Sequence, residues 1–190
     1  MHIEPPFRLA TAADGPILAR FIMWAGEGLP MLVWQDLAGD GGDPWAIGGE
    51  RMARKAEAGE VIVADRDGAA VAGLMGYPIR DTEGTDGMPP RFVPLQELEN
   101  LAVGSYYIHV LATLPQARGE GWGGRLIDLA EGIAAEEGIG EMSIIVSDAN
   151  RGARRLYERK GYGEAARRPA VKDGWENPVT DWVLLRKSLS

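Results

Sequence analysis

Residues 111–126 read LATLPQARGEGWGGRL, an apolar run followed by a glycine-rich turn and then by the apolar spacing of an amphipathic helix. The pattern predicts a strand, a turn and a helix in direct succession. The first amide groups of such a helix have no partner within the helix and lie at the positive end of its dipole, and glycine lets a ligand approach the backbone closely. The segment therefore favours phosphate binding, although a plain glycine-rich connector shows the same local pattern.

On both sides of this segment, the hydrophobic spacing alternates between the periods of helices and strands. Asp14 is a candidate cap for the first helix, and Asp65-Arg66-Asp67-Gly68 has the composition of a hairpin turn. An acidic segment, 80–104, reads as a long loop in which 95–98 could form a helical turn. The predicted strands are 7–10, 61–64, 69–77, 105–112, 142–146, 162–166 and 183–185, and the predicted helices are 14–25, 31–37, 45–58, 121–137 and 151–160.

This order of elements predicts a mixed α/β (α+β) fold. The sheet would be a single central one, mixed but mostly antiparallel, with about six to seven strands and with helices flanking it. A chain of 190 residues without an interior linker is most simply one domain, residues 1–190.

Composition excludes several classes of protein. The chain has no cysteine and only two histidines, so disulfides, cysteine nucleophiles and the usual zinc sites are not expected, and we predict no bound metal. The net charge of -8 argues against nonspecific binding to nucleic acid or to an anionic membrane. The sequence shows neither a long apolar span nor the pattern of a secretion signal, so we expect a cytoplasmic location.

The positive charge is concentrated near the C-terminus. Residues 151–190 carry ten Lys and Arg against five Asp and Glu. Such a stretch is compatible with a small polyanionic ligand, and equally with a solvated helix face.

Two kinds of phosphate site match the glycine-rich turn. Gly119, Gly121 and Gly124 have the spacing G-x-G-x-x-G of dinucleotide-binding proteins, and Asp148 follows at about the distance of a ribose-binding acid. That motif normally follows its strand directly in repeated βαβ units. Here residues 115–118 intervene and the preceding strands form a hairpin, which disfavours a dinucleotide fold.

The second kind of site is the coenzyme-binding turn of the GNAT superfamily of acetyl-CoA-dependent N-acyltransferases, which this sequence resembles. The family motif Gln/Arg-x-x-Gly-x-Gly/Ala is matched by Gln116, Gly119 and Gly121, and its extended form Arg-Gly-x-Gly-x-Gly-x-x-Leu is matched in full by 118–126. Downstream, 150–162 resembles the family's Asn-x-x-Ala-x-x-Leu-Tyr-x-x-x-Gly-Phe, with Tyr162 in place of the final Phe. The resemblance covers roughly 106–162 and is weak before residue 77.

The resemblance implies a splayed pair of central strands that admits the pantetheine arm of CoA, with acetyl-CoA as co-substrate. Backbone groups of the strand would contact the arm, and amide groups of the turn would hold the diphosphate. The residues implied in coenzyme binding are Leu111, Ala112, Thr113, Arg118, Gly119, Glu120, Gly121, Trp122, Gly123, Gly124 and Asn150. Asn150 has a second interpretation, which needs no coenzyme, as the N-cap of the helix that follows it.

Tyr157 is the strongest candidate for a catalytic side chain. A phenol with a pKa of ~10 is a suitable proton donor to a departing thiolate, although an aromatic at this spacing can also be a core residue. The amine must lose a proton, and His109 is the nearest group that titrates close to neutrality. Arylalkylamine-type relatives carry a histidine relay at a similar strand position, whereas an isolated histidine in an apolar strand is often a core residue.

The resemblance places acceptor recognition in the first helices and in the loop before the motif strand. The weaker candidates there for binding a cationic amine are Glu27, Trp34, Glu97 and Glu99. Glu97 and Glu99 are also weaker candidates for the general base. Trp34 has core packing as its alternative. We expect direct acetyl transfer to a primary amine of a small molecule or peptide in a ternary complex. The resemblance also implies a homodimer, since members of the family are often dimers. The alternatives are an acyl-CoA sensor without catalysis and a dinucleotide-binding protein.

Overall fold

The computed structural model describes residues 3–189, which contain seven strands and six helices. The strands are β1 (Phe7–Leu9), β2 (Ile62–Arg66), β3 (Ala69–Pro78), β4 (Tyr106–Thr113), β5 (Glu141–Ser147), β6 (Gly163–Pro169) and β7 (Asp181–Ser188). The helices are α1 (Gly15–Ala25), α2 (Leu29–Ala38), α3 (Pro44–Glu57), α4 (Val93–Asn100), α5 (Trp122–Glu136) and α6 (Arg151–Arg159).

The strands form one open, mixed sheet in the order β1-β2-β3-β4-β5-β7-β6. The pairs β1–β2, β2–β3, β5–β7 and β6–β7 are antiparallel, whereas β4 and β5 run parallel. The register of the parallel pair joins Tyr106–Ile108 to Met142–Ile144, and β4 continues beyond it to Thr113. The predicted fold class is therefore confirmed.

The chain divides into two compact units. The first contains residues up to Gly76 together with Val110–Ile127, and the second contains Tyr77–His109 together with the rest of the chain from Asp128. The boundary between the two units falls within β4, between His109 and Val110, so this strand contributes residues to both. The single domain over residues 1–190 stays a prediction.

Aromatic side chains pack directly on glycine in the core of the first unit. Trp34 is 3% exposed, and its six-membered ring covers Gly48 of α3 so closely that a Cβ there would lie 2.7 Å from it. Phe21 of α1 covers Gly73 of β3 in the same way, at 2.7 Å. Glycine at these two positions is therefore required by close packing and not by backbone conformation.

Three predicted local features have clear outcomes. The hairpin is present, with Asp67 and Gly68 in the left-handed region at φ 54° and 85°. Asp14 occupies the N-cap position of α1, as predicted, but its carboxylate makes no capping hydrogen bond to that helix. The carboxylate instead binds the Arg8 guanidinium at 2.8 Å and accepts a hydrogen bond from the amide of Thr11, which ties β1 to the start of α1.

The acidic segment 80–104, predicted to be a loop with at most one helical turn, contains an eight-residue helix, α4. Its buried face is provided by Pro94 and Leu98. Two apolar contacts in eight residues give little periodicity, which is why the sequence pattern indicated a loop. None of the helices in residues 3–189 combines the length and apolar character needed to span a bilayer.

We predict that Gly48→Ala lowers the free energy of unfolding by roughly 1–3 kcal/mol, because the added methyl group overlaps the Trp34 ring and forces the core apart. The matched control is Gly49→Ala, whose Cβ would meet nothing closer than 3.8 Å. Alanine is the better helix former, so the control should gain up to about 1 kcal/mol. Chemical denaturation measures both, and equal effects of the two changes would contradict the packing argument.

Candidate active site

The glycine-rich turn is an open loop at the surface of the first unit. A single 3-10 turn at Pro115–Ala117 precedes it, and α5 starts at Trp122. Gly119 and Gly121 are exposed and left-handed, with φ of 83° and 87°, and a Cβ on either would meet no atom within 4 Å. The backbone amide of Arg125 donates to the carbonyl of Gly121 at 3.1 Å, so the amides before it lie in the unpaired first turn of the helix.

Cationic side chains surround the start of α5. The indole of Trp122 is contacted by two guanidinium groups, Arg66 at 5.7 Å and Arg125 at 4.9 Å from a ring centroid. Glu120 accepts a hydrogen bond from Trp122 Nε1 at 3.0 Å and forms an ion pair with Arg66. Two guanidinium groups near the start of α5 favour an anion such as a diphosphate at these amides, whereas the Glu120 carboxylate opposes it.

The end of β4 and Arg118 complete this region. Val110 and Ala112 are buried, whereas Leu111 and Thr113 of the opposite face are half-buried. The exposed Arg118 side chain donates to the Thr113 carbonyl at 3.4 Å and lies 5.9 Å above the Trp24 ring. Its guanidinium is therefore held near the turn by weak contacts that an anion can replace.

Tyr157 and Asn150 belong to α6 in the second unit. Asn150 caps the helix, since its Oδ1 accepts a hydrogen bond from the amide of Ala153 at 3.1 Å. The N-cap interpretation is thereby confirmed, and the coenzyme role of Asn150 stays a prediction. Tyr157 is 4% exposed and its ring packs against Tyr162, with centroids 6.1 Å apart. Burial raises the pKa of Tyr157 above that of a free phenol, so the hydroxyl stays protonated at neutral pH.

His109 is exposed, which contradicts the interpretation of this residue as a core histidine. Its imidazole belongs to a group of three rings, with centroids 5.8 Å from those of both Tyr77 and Tyr107. Tyr77 and Tyr107 meet edge to face at 5.6 Å. Tyr107 is 4% exposed and Tyr77 is 40% exposed, so this ring cluster reaches from the interior of the second unit to its surface.

Glu99 of α4 adds a carboxylate to the ring cluster. It is half-buried and lies 3.4 Å from the Tyr77 hydroxyl, which donates to Oε2. Burial, together with the charge of Glu83, raises the pKa of Glu99 to about 7, although the hydrogen bond from Tyr77 acts in the opposite direction. Glu97, two residues earlier, is exposed and forms an ion pair with Arg168 at 2.7 Å. Glu99 is therefore the better placed of the two acids to exchange a proton.

The remaining acceptor candidates lie in the first unit. Trp34 is a core residue, which confirms its packing alternative and leaves little of its surface for a substrate. Glu27 follows α1 and is half-buried, with a left-handed backbone at φ 51°.

The basic C-terminal stretch is largely engaged in ion pairs within the second unit. Arg167 pairs with Glu164 and Asp181, and Lys160 pairs with Asp128. Together with the Arg168–Glu97 pair, these contacts favour a solvated, internally neutralised surface over a polyanion site. Asp148, the acid of the dinucleotide alternative, accepts hydrogen bonds from the amide and hydroxyl of Thr180, and so serves the loop before β7.

Comparison with known proteins agrees with this description. Residues 31–162, more than half of the chain, match the model of the acetyltransferase (GNAT) family. The chain therefore belongs to the GNAT acetyltransferase family, as the two sequence motifs indicated, and the dinucleotide alternative is wrong.

The individual proteins that resemble this chain either match only part of it or have low sequence identity. Over 59 residues the chain is 39% identical to the uncharacterized N-acetyltransferase YhfO of Bacillus subtilis, a match that covers 31% of this chain and 40% of that protein. A polyamine N-acetyltransferase from Drosophila melanogaster, an enzyme that forms N-acetylagmatine, has the same fold, with a TM-score of 0.66 and 19% identity over 96% of this chain and 99% of that one. The structure of yncA, a putative acetyltransferase from Salmonella typhimurium with its cofactor acetyl-CoA, also has this fold. Its TM-score is 0.62 and its sequence identity is 19%, over 97% of this chain and 93% of that one.

Three side chains of these two regions have no role among the residues predicted from sequence. Tyr77 lies at the end of a predicted strand, and Arg66, the last residue of β2, belongs to the segment whose composition predicts only a hairpin turn. Arg125 was included in the glycine motif but given no role. The alternation of β4 could have indicated the ring cluster, because Tyr107 and His109 share one face.

We predict that Gly121→Ala lowers the free energy of unfolding by about 1–2 kcal/mol, since an L-residue is strained at a φ of 87° even where the space is open. Gly132→Ala in α5 is the matched control, because a Cβ there also meets nothing within 4 Å but the backbone is helical. That control should be stabilised by up to about 1 kcal/mol. Thermal or urea unfolding of the two variants distinguishes them, and a stable Gly121→Ala protein would refute the left-handed turn.

Proposed function

We propose that the protein transfers the acetyl group of acetyl-CoA directly to a primary amine. The observation that carries the proposal is the left-handed glycine turn at the start of α5, in a chain that belongs to the GNAT family. Such a turn presents unpaired amides to an anion, and CoA carries a diphosphate. Two fold relatives support the choice, one described with acetyl-CoA and one as a polyamine N-acetyltransferase.

The residues of the turn would hold the coenzyme. The amides of 119–124 would bind the diphosphate, with Arg118 as an additional cation. Leu111 and Thr113 have half-buried positions on one face of β4, and their backbone groups would contact the pantetheine arm as an added peptide strand does. Acetyl-CoA would then supply an activated thioester and a thiol leaving group.

The chemistry requires no covalent enzyme intermediate. The chain has no cysteine, and a direct attack of the amine on the thioester carbon forms the N–C bond while the C–S bond breaks. Tyr157 would donate a hydrogen bond to the sulfur as negative charge develops there. Burial moves the pKa of Tyr157 away from that of a thiol, which favours hydrogen-bond donation over complete proton transfer to the thiolate.

We predict that Tyr157→Phe lowers kcat by about 10²–10⁴-fold, with little change in the affinity for CoA, because the hydroxyl acts on the departing sulfur and not on the bound coenzyme. Release of free thiol from acetyl-CoA measures turnover over a panel of amines, and CoA-induced thermal stabilisation measures binding.

Tyr162→Phe is the matched control for this change. Tyr162 is also buried, its ring packs against that of Tyr157, and its hydroxyl donates to Glu131 at 3.3 Å. Phenylalanine is the usual residue at this position of the family motif. The control should retain turnover within about threefold. Equal turnover of Tyr157→Phe and wild type would remove Tyr157 from the mechanism.

The acyl-CoA sensor remains the second candidate function, because the same turn would serve it. Stabilisation by CoA without thiol release for any amine would favour the sensor over the enzyme.

A further inference from the structure

The Glu120 carboxylate lies within the glycine-rich turn and is itself bound as an anion by side chains of the first unit. It accepts a hydrogen bond from Trp122 Nε1 at 3.0 Å and forms an ion pair with the Arg66 guanidinium. Arginine N–H groups bind a carboxylate and a phosphate by the same kind of charge-assisted hydrogen bond. The Arg66 guanidinium is therefore suited to a phosphate, but in the free protein a carboxylate of the chain occupies it.

We propose, resting on the use of acetyl-CoA proposed above, that Arg66 is a further coenzyme-binding residue and that Glu120 is its counterion in the free protein. When the coenzyme binds, the Arg66 guanidinium exchanges the Glu120 carboxylate for a phosphate group of the coenzyme. Glu120 thereby lowers the affinity for the coenzyme, because its contact with Arg66 is lost on binding. Arg66 lies in β2, outside the glycine motif of 118–126.

Arg66 extends from a fixed backbone. It is the last residue of β2 and pairs with Ala69 across the hairpin. The amide of Gly68 donates to Asp65 Oδ1 at 2.8 Å and so closes the turn. The Arg66 side chain, in contrast, is 41% exposed. An exchange of partners therefore requires rotation about side-chain bonds and no rearrangement of the sheet.

Glu120 can leave Arg66 at a small cost. Its side chain is also 41% exposed, and a Cβ on either of its neighbours, Gly119 and Gly121, would meet no atom within 4 Å. An ion pair between two exposed side chains typically changes an equilibrium constant by no more than about fivefold. The contact between Arg66 and Glu120 is thus weak enough for a ligand to replace it.

A phosphate group of the coenzyme is the stronger partner for Arg66. The diphosphate carries more negative charge than a single carboxylate, and a guanidinium can form two parallel hydrogen bonds with phosphate oxygens. The exchange is therefore favourable, but the affinity is lower than it would be if Arg66 had no partner in the free protein.

Arg125 is less available for the same exchange. Its guanidinium lies 4.9 Å from a Trp122 ring centroid and 5.1 Å from that of Phe7 in β1. Each aromatic face attracts the cation, so Arg125 is held by two rings and keeps Trp122 next to the first strand. Of the two arginines that contact Trp122, Arg66 is consequently the one that we assign to the coenzyme.

The first test measures the Kd for CoA by calorimetry at low ionic strength, where exposed charges are least screened. Arg66→Gln should raise the Kd by roughly 3–30-fold, because a charge-assisted contact with phosphate is lost. Glu120→Gln should lower the Kd by roughly 2–5-fold, because the competing carboxylate is gone. A purely structural role of the ion pair would weaken binding in both variants. That result, or an unchanged Kd in Arg66→Gln, would overturn the proposal.

An exposed ion pair elsewhere in the first unit provides matched controls. The side chains of Lys55 and Glu60 are 45% and 48% exposed and meet at 2.6 Å. Lys55→Gln and Glu60→Gln change the net charge by the same amounts as the two test variants. Both should leave the Kd for CoA within about twofold, since solvent and salt screen exposed charges. Shifts as large as those of the test variants would show a response to net charge alone and would overturn the assignment to Arg66.

The double variant distinguishes exchange from simple repulsion. If Glu120 competes for Arg66, the gain from Glu120→Gln should shrink in the Arg66→Gln background, because no guanidinium is left to compete for. A gain of the same size in both backgrounds would show that Glu120 only repels the phosphate, and it would overturn the exchange.

Dephospho-CoA, which lacks the 3′-phosphate, identifies the phosphate that Arg66 binds. A loss of affinity in Arg66→Gln for both ligands assigns the diphosphate, whereas a loss confined to CoA assigns the 3′-phosphate, and either result supports the exchange. Failure of the wild type to bind CoA would defeat the proposed function itself. Binding of CoA by the wild type, with the same Kd in Arg66→Gln, would overturn only this inference.

Discussion

The alternation of side chains along β4 is the constraint on which both candidate regions depend. A strand directs successive residues to opposite faces, so Ile108, Val110 and Ala112 are buried while His109 is exposed and Leu111 is half-buried. A shift of one residue would bury the imidazole and expose the core. The register of Tyr106–Ile108 with β5 therefore fixes both the hydrophobic packing and the positions at which polar chemistry is available.

Sequence patterns predicted the parts of the molecule whose structure is determined locally. The hairpin at Asp67 and Gly68 follows from residues that adopt a left-handed backbone, and it is found where the sequence places it. The helix predicted over 151–160 likewise ends just before Gly161, whose φ is 87°. The glycine turn before α5 follows from the same cause, and its motif also indicated the family. These features require no knowledge of distant contacts.

The ring cluster could not be predicted in the same way, since it depends on contacts between residues far apart in sequence. Tyr77 and Tyr107 are 30 positions apart, and Glu99 reaches them only because the segment before β4 folds into α4. The helix has a narrow buried face and so lacks a clear period. Asp14 shows the same limit, because its carboxylate fits a cap by sequence but is drawn to Arg8, which no local rule includes.

Trp122 gives the protein an intrinsic optical reporter at the turn. Its indole is contacted by the guanidinium groups of Arg66 and Arg125, and its Nε1 donates a hydrogen bond to Glu120. An anion that draws either arginine away changes the polarity around the ring, and indole emission responds to polarity. Occupancy of the turn is thus readable by fluorescence without any label, and replacing Trp122 alone identifies its share of the signal among the six tryptophans.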